Sequence, residues 1–350
     1  MVGEGMVDFF FPREGNNMGG GAFVRVMKFK TYSEYCREVF GHRMQKLTVD
    51  AGFSCPNIAK ERAEGKLARI MPNAGSVTEG NRDGSKRRGG CTFCNNEAFS
   101  PAYCREVGSI TQQITEGIAF HRHRHRGACG YLAYMQSFSN TYAPLPVLRE
   151  RYEEALAHPA VEGLVIGTRP DCVDEEKLDY LAALAKEHYV MVEYGIESCY
   201  DRTLERVCRG HDFACTERAI RATAERGIAC GGHLILGLPG ESREDILAEA
   251  DIVSRLPLTS IKLHQLQILK GTVMEQEYRQ GLAPRAFTLQ EYVGLVRDFL
   301  QRLRSDMVVE RFVSEVPPRW QAAPERGWRH DDGTPVRGEE VVALVVAGLE

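Results

Sequence analysis

No apolar run of eighteen or more residues occurs anywhere in this 350-residue chain, which excludes a conventional membrane-spanning helix. No signal-peptide pattern is apparent either. A basic surplus is also lacking, since 44 Lys and Arg stand against 48 Asp and Glu for a net charge of −4. That balance excludes a uniformly basic nucleic-acid coat and leaves room for a local basic patch. Internal repeats are absent, as is any second C-x2-C or H-x3-H pair that would complete a structural zinc site. Eleven cysteines in a chain of this length are not the dense framework of a small secreted domain, so a reducing, cytoplasmic location is the expectation.

What the chain does have is regular alternation. Strand-length apolar runs at 46–49, 130–136, 163–167, 190–196, 230–236 and 260–266 alternate with helix-length amphipathic stretches at 110–124, 145–157, 175–187, 201–208, 215–225 and 243–255. A short helix from Thr31, stopped by Gly41, precedes the first of them. Repeated strand and helix mean right-handed βαβ units and a parallel sheet, hence an α/β fold. A helix at 289–303, a strand at 307–312 and a last helix at 339–349 continue the pattern. Residues 1–26 are glycine-rich and polar and read as a mobile leader, with Met27 as an alternative start.

Functional groups of a parallel barrel gather at the carboxyl ends of its strands. Here those ends carry Cys55, then Gln136 to Thr141, Thr168 to Asp171, Glu197 with Ser198, Gly237 to Gly240, and Gln265 to Gln267. Cys91 and Cys94 form a C-x2-C turn behind two glycines, and Cys55 lies upstream with 35 residues between it and Cys91. Three thiolates suit an iron–sulfur cluster with one open iron better than a closed zinc site, which takes four ligands. The other eight cysteines show no ligand spacing and read as packed thiols, with Cys172 and Cys199 near strand ends. The run His121 to Arg126 alternates His and Arg; its arginines would repel a cation, so it reads as a solvated basic face.

The segment Asp50 to Asn57, joined to Arg82-Asp83-Gly84 and to Gly89 through Asn96, resembles the cluster loop of the radical S-adenosylmethionine (SAM) enzymes. More narrowly, it is similar to a bacterial Elp3-like branch with a long first cysteine spacer. The resemblance runs from about Met27 to Val316 and implies a partial (β/α)6 barrel over 27–316, followed by a C-terminal extension over 317–350. It implies a [4Fe-4S] cluster on Cys55, Cys91 and Cys94 whose open iron binds SAM. It further implies that Phe93 lies against the adenine, that Gln136 and Asn140 line the cavity, that Glu197 meets the ribose and that Arg209 meets the methionyl carboxylate. His233 falls on the strand that runs along the adenine, where some relatives carry an acid. No further catalytic residue is named by the sequence.

One departure from the family pattern lies inside the cluster loop. Without the 24 residues from Ile58 to Asn81 the first spacer would have the family's 11. Loop closure costs only about 0.6 kcal/mol per doubling of length, so the ligands can survive the insertion (58–81). Its Lys60, Arg62, Lys66 and Arg69 make a local basic stretch.

The activity implied is reductive cleavage of SAM, with hydrogen abstraction from a substrate by the adenosyl radical. A transfer RNA (tRNA) wobble-uridine side chain is the substrate that the Elp3-like resemblance suggests, and a flavodoxin or ferredoxin the electron donor. Two other readings stay open on the residues alone: a radical SAM enzyme acting on a small metabolite or a protein, and a non-catalytic iron–sulfur or zinc-binding module.

Overall fold

A computed structural model describes residues 29–58, 90–101, 103–104, 108–122, 130–314, 316–324 and 327–349. The leader, residues 59–81 of the insertion and residues 123–126 of the His–Arg run lie outside these described residues.

The strands are β1 (Lys30–Thr31), β2 (Met44–Val49), β3 (Gly130–Met135), β4 (Val161–Thr168), β5 (Tyr189–Glu197), β6 (Ala229–Leu236), β7 (Ser260–Gln265), β8 (Ile268–Leu269), β9 (Val308–Arg311) and β10 (Gln321–Ala323). The helices are α1 (Tyr32–Phe40), α2 (Ile110–Arg122), α3 (Leu145–Leu156), α4 (Glu175–Leu184), α5 (Asp201–Arg206), α6 (Phe213–Glu225), α7 (Arg243–Ser254), α8 (Val273–Arg279), α9 (Leu289–Arg302) and α10 (Gly338–Ala347). Eight strands form one parallel sheet in the order β1-β9-β7-β6-β5-β4-β3-β2. The six expected barrel strands are β2 to β7, neighbours in chain order, and β9 and β1 extend the sheet beyond β7. A small antiparallel pair, β8 with β10, was not foreseen.

Side chains alternate across each strand, and the two faces differ in chemistry. Outward residues such as Leu47, Val49, Ala133, Met135, Leu164, Ile166, Val192, Leu234 and Leu263 join Leu148, Tyr152, Leu181, Ile220, Ile246 and Phe299 from the covering helices in one core. The inward face begins apolar, with Met44, Leu132, Tyr134, Val165 and Met191 packed around Cys36 of α1. This short helix links the edge strands β1 and β2 in sequence. A Thr31 to Glu34 capping box starts it and a left-handed Gly41 ends it.

Further along the inward face lies a ring of charge. Lys46 Nζ donates to Glu193 Oε1 at 2.6 Å and to Glu310 Oε1 at 2.7 Å. Lys262 Nζ lies 2.8 Å from Glu193 Oε2 and 2.9 Å from Glu310 Oε1. Because β2 and β9 stand near opposite ends of the strand order, a Lys46 to Glu310 bond can form only if the sheet curls. These bonds therefore define a partial barrel from the inside. Burial alone would raise the Glu193 pKa, but Lys262 and Lys46 outweigh it and hold the carboxyl well below its ordinary value.

Candidate functional site

The carboxyl ends of the strands carry the sequence-predicted residues. Cys55 follows β2, and its Sγ lies 3.3 Å from Ser139 Oγ in the loop after β3. The C-x2-C segment closes a turn through Cys94 N–H to Cys91 O at 3.0 Å. Thr92, inside that turn, donates to Val207 O at 3.0 Å and accepts from Met274 N–H at 2.9 Å, so the turn is clamped between the loop after α5 and the start of α8. Asn57 Nδ2 donates to Cys208 O at 2.7 Å and stands 3.9 Å from Cys91 Sγ, while Asn96 Nδ2 stands 3.4 Å from Cys94 Sγ.

The three thiols share one electrostatic neighbourhood. Burial, then Cys91 and Cys55, push the Cys94 thiol far up. Burial raises Cys55 too, with Cys91 adding and Ser139, Arg209 and Arg169 opposing. Arg209 is the compensating charge: its Nη1 lies 3.6 Å from Cys91 Sγ and its Nη2 donates to Gly195 O at 2.7 Å. The same Nη2 is 3.4 Å from Glu197 Oε1. Burial works against the guanidinium, but Cys91 and Glu197 outweigh it and raise its pKa. The pair is therefore not a solvated surface bridge, for Arg209 is only 7% exposed. Its Nε is buried without a partner among the described residues.

Backbone strain concentrates at this rim. Among the described residues, the non-glycine residues with positive φ are Phe138 (68°), Glu197 (66°) and Cys208 (55°), and each follows or ends a strand or helix of the site. Glu197 sits at a register shift between β5 and β6. A β-carbon at Gly195 would meet Glu197 Oε1 and Arg209 Nη2, so any larger residue there would displace the ends of both side chains. Left-handed backbone in ordinary residues costs about 1–3 kcal/mol and persists where the surroundings over-determine it.

Other expected residues fall as follows. Phe93 is partly buried and packs against the cluster of Val207, Leu238, Leu266, Ile268 and Met274. Gln136 faces inward from the end of β3, and its Oε1 is buried without a partner among the described residues. Asn140 is no cavity residue: its Nδ2 donates to Met135 O at 2.9 Å and to Gly167 O at 2.7 Å, stitching two strand ends together. His233 faces inward with its Nε2 2.9 Å from Glu193 Oε2, joined to the charge ring. His121 does not lie on a solvated face; it is 7% exposed and packs edge-on against Phe120, because α2 turns that side toward the protein. Sequence reasoning gave no role to Arg169, which forms a fork on Asp171 through Nε at 2.8 Å and Nη2 at 2.6 Å. Its position at a strand end was the available signal. Asn57 and Asn96 each stand two residues from a cysteine, a proximity that could have suggested their contacts, whereas Ser139 lies 84 residues from Cys55 and only its place at a strand end could have pointed to it.

The arrangement of a curled parallel sheet with three thiols and a guanidinium at its carboxyl rim has counterparts among known proteins. Residues 88–253 match the Radical SAM superfamily and residues 258–349 match the Radical_SAM C-terminal domain. The chain is 33% identical over 297 residues to the protein YtqA of Bacillus subtilis, covering 85% of this chain and 84% of that one. It belongs to the radical SAM superfamily, whose members are enzymes. A shorter likeness, 26% identity over 139 residues, relates it to the tRNA uridine(34) acetyltransferase of Methanocaldococcus infernus, covering 38% of this chain and 24% of that protein. The solved structure of M. infernus Elp3 with an N-terminal deletion shares the fold, with a TM-score of 0.55 and 15% identity over 66% of this chain and 57% of that one. The superfamily implies a [4Fe-4S] cluster and SAM. Among the described residues no helix is long and apolar enough to cross a membrane.

Proposed function

We propose that Cys55, Cys91 and Cys94 hold the [4Fe-4S] cluster, and that Phe93, Gln136, Glu197 and Arg209 hold SAM beside it. The observation that carries the reading is the convergence of Arg209 on both the Cys91 thiol and Glu197. A cation in that position neutralises thiolate charge on one side and keeps its buried Nε free for a carboxylate on the other. The donor set fits the cofactor pair.

When bound, the cluster supplies the electron that splits SAM into methionine and the adenosyl radical. The chain's own groups do the rest. Glu197 can accept from two vicinal hydroxyls, Phe93 and Leu238 offer an apolar wall, and the buried rim excludes water. His233 meets the site from below, its Nε2 tied to Glu193.

For substrate the reading is a tRNA wobble-uridine side chain, with a flavodoxin or ferredoxin as electron donor in the cytoplasm. The relative named tRNA uridine(34) acetyltransferase supports the RNA part. Anaerobic reconstitution followed by incubation with SAM, a reductant and fractionated tRNA tests it. Each Cys→Ala variant is expected to lose iron and the visible absorption of the cluster. Arg209→Ala is expected to keep the iron and bind SAM more weakly by about 1.5–3 kcal/mol. Deoxyadenosine formation that tRNA does not change would remove the RNA substrate while leaving the cofactor site intact.

A further inference from the structure

The ladder between β5 and β6 shifts register at Glu197 and pairs nothing on β5 beyond it. Residues 198–200 leave the sheet there, and a buried backbone N–H without a partner is costly. Two acidic side chains take the place of the ladder. Glu249, on α7, accepts from Cys199 N–H through Oε1 at 2.7 Å. Glu241, in the loop before α7, accepts from Ser198 Oγ at 2.5 Å, and that hydroxyl accepts in turn from Tyr200 N–H at 3.1 Å. Tyr200 donates its own hydroxyl at 2.8 Å to Asp245 O, one turn before Glu249 on α7. Three consecutive residues are thereby bolted to α7 and to the loop that precedes it.

Glu249 is the member that packing does not explain. It is 0% exposed, on a helix face otherwise made of Ile246, Leu247, Ala250 and Val253, and its Oε2 has no partner among the described residues. Burial, then Glu241, push its pKa well up, so at neutral pH it is an uncharged acid. An apolar side chain of the same size would fill that space at less cost in desolvation. What Glu249 supplies, and an apolar residue would not, is the acceptor for Cys199 N–H.

The bolted residues follow directly on Glu197, whose φ is 66° and whose Oε1 lies 3.4 Å from Arg209 Nη2. A left-handed conformation in a non-glycine residue persists only where its surroundings over-determine it. We infer that Glu249 is a positioning residue for the cofactor: by holding Cys199 N–H it keeps Glu197 in the conformation that aims its carboxylate at the ribose, with Glu241 supporting it through Ser198. The inference rests on the SAM reading of Glu197 above and adds to it a residue that acts through the backbone.

Calorimetry of SAM binding to the anaerobically reconstituted full chain tests this in a double-mutant cycle between positions 197 and 249. Glu249→Leu fills the space and removes the acceptor, whereas Glu249→Gln keeps a carbonyl oxygen for Cys199 N–H. Iron per chain and cluster absorption should match the wild type in both. SAM affinity is expected to fall about ten-fold in Glu249→Leu and to stay within about two-fold of the wild type in Glu249→Gln. Added to Glu197→Ala, Glu249→Leu should weaken binding by less than about a further two-fold, because the carboxylate that it aimed is gone. Three results overturn the inference alone while Glu197→Ala binds weakly: undiminished affinity in folded Glu249→Leu, equal weakening by Leu and Gln, or a loss that persists undiminished beside Glu197→Ala. Loss of iron in folded Glu249→Leu also overturns it, since the effect would then run through the cluster loop. Wild-type affinity in Glu197→Ala overturns the ribose reading and the inference with it. Circular dichroism checks the fold of each variant. Should Glu249→Leu not fold, Ser198→Ala breaks the second tie and enters the same cycle, with the same results for and against.

Discussion

Glu193 accepts from Lys46, Lys262 and His233, all within 2.9 Å, while being only 1% exposed. Replacing it by alanine leaves two buried lysines with a single carboxylate, Glu310, between them. Breaking a buried pair from one side typically costs about 3–5 kcal/mol, so Glu193→Ala should lower the urea midpoint by a matching amount. A loss under about 1 kcal/mol would show that water reaches the ring. Glu241 makes a different case. Its Oε1 accepts from Ser198 Oγ at 2.5 Å, and burial raises its pKa from 4.5 to about 7. The neighbouring Glu249 is pushed well up by burial and by Glu241. A raised acid binds its proton more tightly in the folded state. Its contribution is therefore full below pH 4.5 and is lost as pH rises through about 7. Glu241→Gln should remove that decline, so its melting temperature measured at pH 8.5 relative to pH 6 should fall less than the wild type's. The difference in stability should be on the order of 1–1.5 kcal/mol, and parallel pH profiles for the two proteins would contradict it.

At the scale of elements, the strands β2 to β7 were legible because their outward residues are apolar and their spacing alternates with helices. The charge ring was not. Lys46 reaches partners 147 and 264 residues away, and no local pattern distinguishes an inward lysine with a distant partner from an ordinary polar position. Strands β1 and β8 have two residues each, too few for a period of two to register. Helix α8 did carry a sign, since Thr272 accepts from Glu275 N–H at 3.1 Å as an N-cap, but the helix has only seven residues. The three cysteines were legible through their spacing. The strain at Phe138, Glu197 and Cys208 was not, because left-handed backbone in non-glycine residues leaves no mark in sequence. Cys208 offers a clean test: its side chain is exposed, and what the site uses is its carbonyl, which accepts from Asn57. Cys208→Gly should keep that carbonyl and relieve the positive φ, stabilising the protein by about 0.5–1 kcal/mol in urea denaturation with SAM affinity unchanged. A destabilised variant would mean that the cysteine side chain contributes packing there.

On the scale of the whole molecule, the end of the chain supports the beginning of the site. In α10, Val341, Val342 and Val345 are buried in the main core together with Leu295, Val296 and Phe299 of α9. Arg297 of α9 fastens the helix by donating to Leu344 O at 2.5 Å and Val345 O at 3.3 Å. Upstream, Trp328 Nε1 donates to Phe287 O at 2.8 Å, and its ring lies 5.3 Å from that of Tyr292. Tyr292 in turn donates to Phe312 O, immediately after β9. Strand β9 carries Glu310, one of the two carboxylates of the ring beneath the cavity. Full burial of a valine is worth about 1.5–3 kcal/mol, so three of them contribute about 4.5–9 kcal/mol as an upper figure. That is comparable with the whole net stability of a domain, about 5–15 kcal/mol. Ending the chain at Arg337 should therefore do more than trim a tail. The truncated protein is expected to lose its cooperative melt, partition to the insoluble fraction and fail to retain iron after reconstitution, although Cys55, Cys91 and Cys94 are all present. A truncated chain that melts within a few degrees of the full-length protein and keeps its iron would show that α9 closes the core without α10.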